Sequence, residues 1–251
     1  MFLASGPRGT LSARYTDYLP DMKAEGREKS MSTFYDSYAA AKAYTTPDLN
    51  AKHIKRFTDE VWSPAGVQPT MRCLEIGCGT GHFLSFLDHM GMGDFQGIDL
   101  DPALADVIPA HVKNRFQVAD VHDFLTSNSA APYDRIFMFD VFEHFTKEDG
   151  LNLLLALKKR LGEDGKIVLK MPNAGSPFGL QFQFGDLTHL TGYTTDSIRQ
   201  MAIAAGLRLE RCYPHLLGSP GRRRTDALVQ AILNKLIASP PEIWEGNFYA
   251  I

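Results

Sequence analysis

The strongest constraint on the fold is a rhythm running from residue 71 to residue 171. Short apolar runs at Met71–Ile76, Phe95–Asp99, Arg115–Ala119, Arg135–Phe139 and Lys166–Met171 alternate with amphipathic stretches, clearest at Gly81–Met90 and Lys147–Leu161. Strands that alternate with helices specify a parallel sheet with crossover helices on both faces. Ile136–Phe139 is apolar at every position, which suits a strand covered on both sides.

A length of 251 residues is enough for one decorated α/β domain. Residues 1–70 read as an N-terminal arm and helical lid. Residues 8–30 lack an apolar period, the pattern turns helical from Met31 to Trp62, and Pro47 and Pro64 are its expected breaks. Residues 71–251 read as one domain, with an acceptor loop at 172–193 and an insertion at 214–243. Within it, Thr194–Ala205 is expected to be a helix capped by a threonine and stopped by Gly206. Leu207–Tyr213 reads as a strand, about Thr225–Ala238 as an apolar helix, and Asn247–Ile251 as a last strand. The net charge of −3 argues against a chain coated for general nucleic-acid binding. Cys73, Cys78 and Cys212 are too few and too scattered for a disulfide framework or a paired-cysteine zinc site. No run approaches the roughly 18–20 apolar residues of a membrane span, and Met1–Thr10 lacks the basic start and apolar core of a secretory signal. A reducing, cytoplasmic setting fits these features.

The segment Leu74-Glu75-Ile76-Gly77-Cys78-Gly79-Thr80-Gly81 follows a strand and opens a helix. Alternate glycines let the backbone pass under a ligand with no Cβ in the way. Their spacing is neither the dinucleotide fingerprint nor a phosphate loop with its Lys-Ser/Thr end. Glu75 would repel a pyrophosphate, yet it can accept a hydrogen bond from an ammonium group. The second strand ends at Asp99-Leu100, where a carboxylate can bind both ribose hydroxyls. The third ends at Asp120-Val121, where a carboxylate can accept an adenine amino group. Three acids at three successive strand ends describe a pocket for a cationic nucleoside without phosphate.

With Tyr133-Asp134-Arg135-Ile136 and the turn Leu161–Lys166, these residues resemble the cofactor site of class I S-adenosylmethionine-dependent methyltransferases, over roughly residues 70–210. The resemblance implies an α/β fold: a Rossmann-like seven-stranded sheet with helices on both faces and an antiparallel last strand. It implies S-adenosyl-L-methionine as cofactor and S-adenosyl-L-homocysteine as product. Gly77 and Gly79 then lie against the methionine and ribose, Asp99 binds the ribose diol and Leu100 covers the adenine. Asp120 and Val121 bracket the adenine edge, and Glu75, Gly81 and Asp140 complete the cofactor set.

On the acceptor side, Asp140-x-x-Glu143-His144 resembles the Glu-x-x-Glu-His element of ubiquinone-pathway O-methyltransferases and of RNA 2′-O-methyltransferases that modify small RNA ends. In those relatives the element can hold a divalent metal such as magnesium. Three readings stay open: a metal held by Asp140, Glu143 and His144; His144 as a general base; or Glu143 and His144 as a helix cap. The shorter arm of Asp140 favours the base. Downstream, Asp186-x-Thr188-His189 looks like methyltransferases of polysaccharide-biosynthesis clusters. His189 is a second catalytic candidate, a further metal ligand, or a loop residue bonded to backbone. Phe178, Phe182, Phe184 and Tyr193 line a sugar or aryl pocket, or form a small satellite core. Tyr35 and Tyr38 resemble a cofactor lid, although helical packing also explains them. Arg222–Arg224 meets a phosphate or sits in a solvated loop, and the apolar helix after it docks a second subunit, giving a homodimer, or packs on its own domain.

The activity expected from these resemblances is O-methylation of a small molecule or a glycan or nucleotide-sugar precursor. RNA 2′-O- or N-methylation is the alternative among enzymes, disfavoured by the lack of a basic stripe. The alternative of another class is a non-catalytic S-adenosylmethionine-binding module.

Overall fold

In the computed structural model, which describes residues 44–127 and 131–251, the apolar runs become strands. They are β1 (Arg72–Ile76), β2 (Asp94–Asp99), β3 (Phe116–Val118), β4 (Tyr133–Phe139), β5 (Leu161–Pro172), β6 (Cys212–Pro214) and β7 (Asn247–Ala250). One sheet holds all seven in the order β3-β2-β1-β4-β5-β7-β6. The first five pair in parallel, and β7 runs antiparallel to both β5 and β6. This is the expected Rossmann-like sheet. The chain moves outward from β1 to β3 and then returns to place β4 on the other side of β1. A crevice therefore opens at the carboxyl ends of β1 and β4, where doubly wound folds bind their ligands.

The helices are α1 (Ala51–Phe57), α2 (His82–His89), α3 (Val121–Ser127), α4 (Lys147–Lys158), α5 (Leu180–Gln183), α6 (Thr195–Ala204) and α7 (Pro220–Leu236). The period of two in β4 explains how the sheet is covered. Ile136 and Met138 join Leu153 and Leu157 of α4 in one core, whereas Phe137 faces the other core and meets Phe83 of α2 with ring centroids 4.9 Å apart. All three strand residues are fully buried.

Pro64 is expected to break the first helix, but the structure carries the helix past it. After α1 come a π turn at Thr58–Trp62 and a last turn at Ser63–Ala65. Pro64 has no N–H for the preceding turn. The Glu60 carbonyl instead accepts the Tyr213 hydroxyl at 2.7 Å. Arg135 closes the far end, donating from Nε to the Ala65 carbonyl at 2.7 Å and from Nη2 to the Gly66 carbonyl at 3.3 Å. The arm at 8–30, the helical start at Met31, and Tyr35 and Tyr38 lie outside the described residues.

Two further boundaries move. β6 covers Cys212–Pro214 rather than Leu207–Tyr213, because β7 offers only four residues and pairs Ala250, Tyr249 and Phe248 with Cys212, Tyr213 and Pro214. Leu207 and Leu209 pack against the core without joining the sheet. α7 starts at Pro220, five residues before the apolar period suggests, since Ser219 caps it and proline is favoured in a first turn. Arg222–Arg224 is therefore helical, not a loop.

The threonine cap of α6 stands as expected. Ser197 N donates to Thr194 Oγ1 at 3.1 Å, and Thr194 N donates to Ser197 Oγ at 2.8 Å. Thr194→Ala should cost about 1 kcal/mol and lower Tm by about 2–4 °C, as read by thermal unfolding.

Candidate active site

The glycine turn takes the shape its residues predict. Gly77, Gly79 and Gly81 all have positive φ, at 68°, 52° and 77°. Their surroundings differ. A Cβ on Gly77 would lie 2.3 Å from Val141 Cγ2, so this glycine lets the turn pack against the end of β4. A Cβ on Gly79 would meet nothing within 4 Å. The turn thus leaves an open space above Gly79, while α2 follows directly at His82. His82 Nε2 lies 3.1 Å from His53 Nδ1, which brings α1 beside the same turn.

Glu75, in β1 below the turn, is buried, and its Oε2 has no hydrogen-bond partner. Burial first, then the nearby Asp99, push its pKa well above the usual carboxylate range. A carboxyl whose folded pKa is raised binds its proton more tightly in the folded chain. Stability therefore falls as pH climbs from the unfolded pKa toward the folded one. Glu75→Gln should remove that loss, so the variant's melting temperature, measured against wild type from pH 5 to pH 8, should gain on it as pH rises. Parallel curves for the two proteins would contradict the assignment.

Asp99 ends β2 opposite this turn. Its Oδ2 accepts from Gly79 N at 2.9 Å and its Oδ1 from Asp101 N at 3.1 Å. A carboxylate has about four acceptor positions, so capacity remains for a ligand's hydroxyls. Leu100, the next residue, is 63% exposed, a large apolar surface beside the cleft. Asp120 is brought next to Asp99 by the β2–β3 pairing, and Ala119 N donates to the Asp99 carbonyl at 2.9 Å. Its Oδ1 accepts from His122 N at 2.8 Å and Asp123 N at 3.2 Å, capping α3. Val121 is buried in the core.

Asp140 follows directly on β4, and its φ of 57° is the positive value among the described non-glycine residues. Asp140 N donates to the Lys170 carbonyl at 2.9 Å, and its carboxylate pairs with the Lys170 ammonium. These bonds hold a backbone conformation that otherwise disfavours a side chain. The following residues form a 3-10 turn, Phe142–His144. The loop at 172–193 folds back over it: Leu190 N and Thr191 N both donate to the Glu143 carbonyl, at 2.9 and 3.0 Å.

That clamp gathers Glu143, His144 and His189. One ligand atom from each lies within 4.8 Å of the others. Asp140 stays outside the group, paired with Lys170. Glu143 is fully buried, and neither of its carboxyl oxygens has a hydrogen-bond partner. Burial first, then Asp140, push its pKa up to about 8. His189 Nδ1 sits 3.0 Å from the Gln183 carbonyl, and His144 Nδ1 sits 3.2 Å from the Thr188 carbonyl. A carbonyl only accepts, so each Nδ1 donates, and in a neutral imidazole Nε2 is then the nitrogen that offers a lone pair. Thr188 reinforces this, its hydroxyl lying 3.0 Å from His144 Nδ1 and donating to Asp186 Oδ1 at 2.5 Å. Burial and the neighbouring His189 hold the His144 pKa below its usual range.

Lys170 and Gln183 escaped the sequence reading. A lysine near the end of an apolar strand was the available signal for the first, whereas nothing local marks the carbonyl of the second. The aromatic residues of the loop divide: Tyr193 is buried and stacks on Phe142 at 5.1 Å, while Phe178, Phe182 and Phe184 are exposed.

A sequence model described as a methyltransferase domain matches residues 41–211. No curated protein matches the chain. Among solved structures, an S-adenosylmethionine-dependent methyltransferase from Archaeoglobus fulgidus aligns with a TM-score of 0.59 at 17% identity, covering 86% of this chain and 97% of that one. One from Clostridium acetobutylicum aligns with a TM-score of 0.54 at 11% identity, covering 89% and 97%. The magnesium protoporphyrin IX methyltransferase of Synechocystis, solved with bound S-adenosylmethionine, gives 0.51 at 17% identity, covering 81% and 94%. At these identities the likeness is one of fold. The family match, which spans more than half of the chain, carries the assignment: this chain belongs to the methyltransferase domain family and is a class I S-adenosylmethionine-dependent methyltransferase.

Proposed function

We propose that this methyltransferase methylates an oxygen of a small-molecule or glycan-precursor acceptor, at a site where Glu143, His144 and His189 hold a divalent cation. The observation behind this reading is the convergence of an unpartnered buried carboxyl with two imidazoles, each locked by a backbone carbonyl on its other nitrogen. Metal-ligating histidines are commonly held in that way. The 3.9 Å between His189 Nε2 and Glu143 Oε1 is too long for a hydrogen bond. It falls within the roughly 3–4 Å expected of two atoms that each sit about 2.1 Å from a shared ion. Two imidazoles with one carboxylate favour manganese or zinc over magnesium. An imidazole held below its usual pKa is a ready ligand, but it provides little drive for removing a hydroxyl proton unaided.

When bound, S-adenosylmethionine supplies the sulfonium methyl, and a divalent ion supplies a Lewis acid that lowers the pKa of an acceptor hydroxyl. The chain's own residues do the positioning. Gly79 leaves the backbone open to the methionine and ribose, Gly77 and Gly81 shape the turn by packing against Val141 and Ile108, Glu75 accepts from the ammonium, and Asp99 binds the ribose diol. Leu100 covers the adenine, Asp120 and Val121 meet its edge, and Asp140 completes the cofactor side. The loop at 172–193 holds the acceptor in line with the methyl group, where orientation contributes a large share of the rate. Its exposed Phe178, Phe182 and Phe184 suit the apolar faces of a sugar or aryl group.

Asp99→Ala should weaken S-adenosylmethionine binding by about 1.5–3 kcal/mol, the range for hydrogen bonds to a charged group, as read by isothermal titration. For the cation, manganese or zinc titrated into the purified protein should bind wild type but not His189→Ala, and a chelator should remove activity that added ion restores. Full activity in chelator, with no ion bound, would leave His144 as a general base instead.

A further inference from the structure

The helix α7 spans 17 residues and buries none of them. One face holds it to the domain. Arg223 Nη2 donates to the Leu216 carbonyl at 3.0 Å, Gln230 Nε2 to Glu245 Oε1 at 3.1 Å, and Trp244 Nε1 to Asn234 Oδ1 at 2.8 Å. At about 100° per residue, Leu228, Val229, Ile232 and Leu236 fall within one arc on the opposite face. They are 63%, 48%, 50% and 75% exposed. Arg224 and Lys235 border that arc on one side and Arg222 on the other. Between Pro220 and Leu236 stand four cations and a single acid, Asp226, whose carboxylate is 3.0 Å from Arg222 Nε.

We propose that this outward face of α7 binds an anionic lipid surface, with the apolar stripe entering the headgroup boundary and the bordering cations meeting the lipid charges. An apolar stripe edged with arginine and lysine is the pattern of a helix lying in a membrane interface. Charge decides between this occupant and a second copy of the chain. A two-fold pairing of antiparallel α7 helices would set the arginines of each helix near Lys235 of the other, with no acid on the exposed arc to offset them. An anionic bilayer offsets all of them. The binding is peripheral, since no helix among the described residues is long and apolar enough to cross a membrane.

The test is sedimentation of the full chain with vesicles of phosphatidylcholine alone or containing about one third phosphatidylglycerol. Binding is expected only to the anionic vesicles, and it should weaken with salt. Removing the Arg224 and Lys235 charges together, as Arg224→Gln with Lys235→Gln, should reduce it about 25-fold, from about fivefold per cation. Ile232→Glu should abolish it. Both variants alter exposed positions and should keep the wild-type circular dichroism and S-adenosylmethionine affinity. Equal or absent binding to the two vesicle types would overturn the proposal, as would vesicle binding that survives Ile232→Glu. A wild-type dimer in sedimentation velocity that Ile232→Glu splits would assign the face to a second copy instead.

Discussion

Valine at position 79 should weaken S-adenosylmethionine binding at least about a hundredfold, roughly 2.7 kcal/mol, in a protein that still folds. The position is unusual in that a Cβ there meets no protein atom within 4 Å, so the folded chain has room for the side chain. What the side chain takes is the space above the turn. The left-handed backbone, φ 52°, adds a strain of about 1–2 kcal/mol that a thermal melt should detect but the fold should survive. Gly77→Val is the contrasting case, because its Cβ would lie 2.3 Å from Val141 and the end of β4 would have to move. Titration calorimetry paired with melts separates the two: lost binding with modest destabilisation at 79, and broad destabilisation at 77. Unchanged affinity in Gly79→Val would remove the glycine turn from the cofactor site.

The turn could be read from the sequence because its backbone conformation dictates its residue type. Positive φ at 77, 79 and 81 calls for glycine, and the glycines stand at those positions. The same holds for Ile136–Met138 in β4, whose burial on both faces calls for apolar residues at successive positions. Features set by distant partners were less legible. Leu207–Tyr213 alternates like a strand, but its pairing is limited by the four residues of β7, some forty positions away in sequence. The early start of α7 lies in Ser219-Pro220, a cap and first-turn proline well ahead of the apolar period that begins at Leu228. Near the end of β4, the Asp-x-x-Glu-His spacing pointed to Asp140, and the Asp186-x-Thr188-His189 run offered His189 as a further ligand. Only the loop clamp at the Glu143 carbonyl shows that His189 joins the group and Asp140 does not. No local pattern reports a contact across 45 residues. Nor does one show that Lys170 would engage Asp140.

His144→Ala should reduce methyl transfer by more than about a hundredfold, beyond the roughly 10–100-fold expected for a partner that merely supports a ligand, while leaving S-adenosylmethionine affinity within about twofold. His144 belongs to the turn after β4, beyond the glycine turn and Asp99, and its ring faces His189 at 4.7 Å between centroids. Removing it takes one ligand atom from the three that converge and leaves Glu143 buried with less to compensate it. The damage belongs in turnover, not in cofactor binding. His189→Ala should behave alike, whereas Thr188→Ala, which loosens the hold on the His144 ring, should cost less, about 10–100-fold. Single-turnover kinetics alongside calorimetry separate these effects. A His144→Ala enzyme with full activity would reduce the histidine to a structural role.

The most direct test of the whole arrangement is a crystal structure of the chain with S-adenosylhomocysteine. The ribose hydroxyls should lie about 3 Å from the Asp99 carboxylate, with the backbone of Gly77–Gly79 beneath the homocysteine. The sulfur should face the space bounded by Glu143, His144 and His189. Product bound away from the ends of β1 and β2, or bound there with its sulfur turned from that group, would contradict the account.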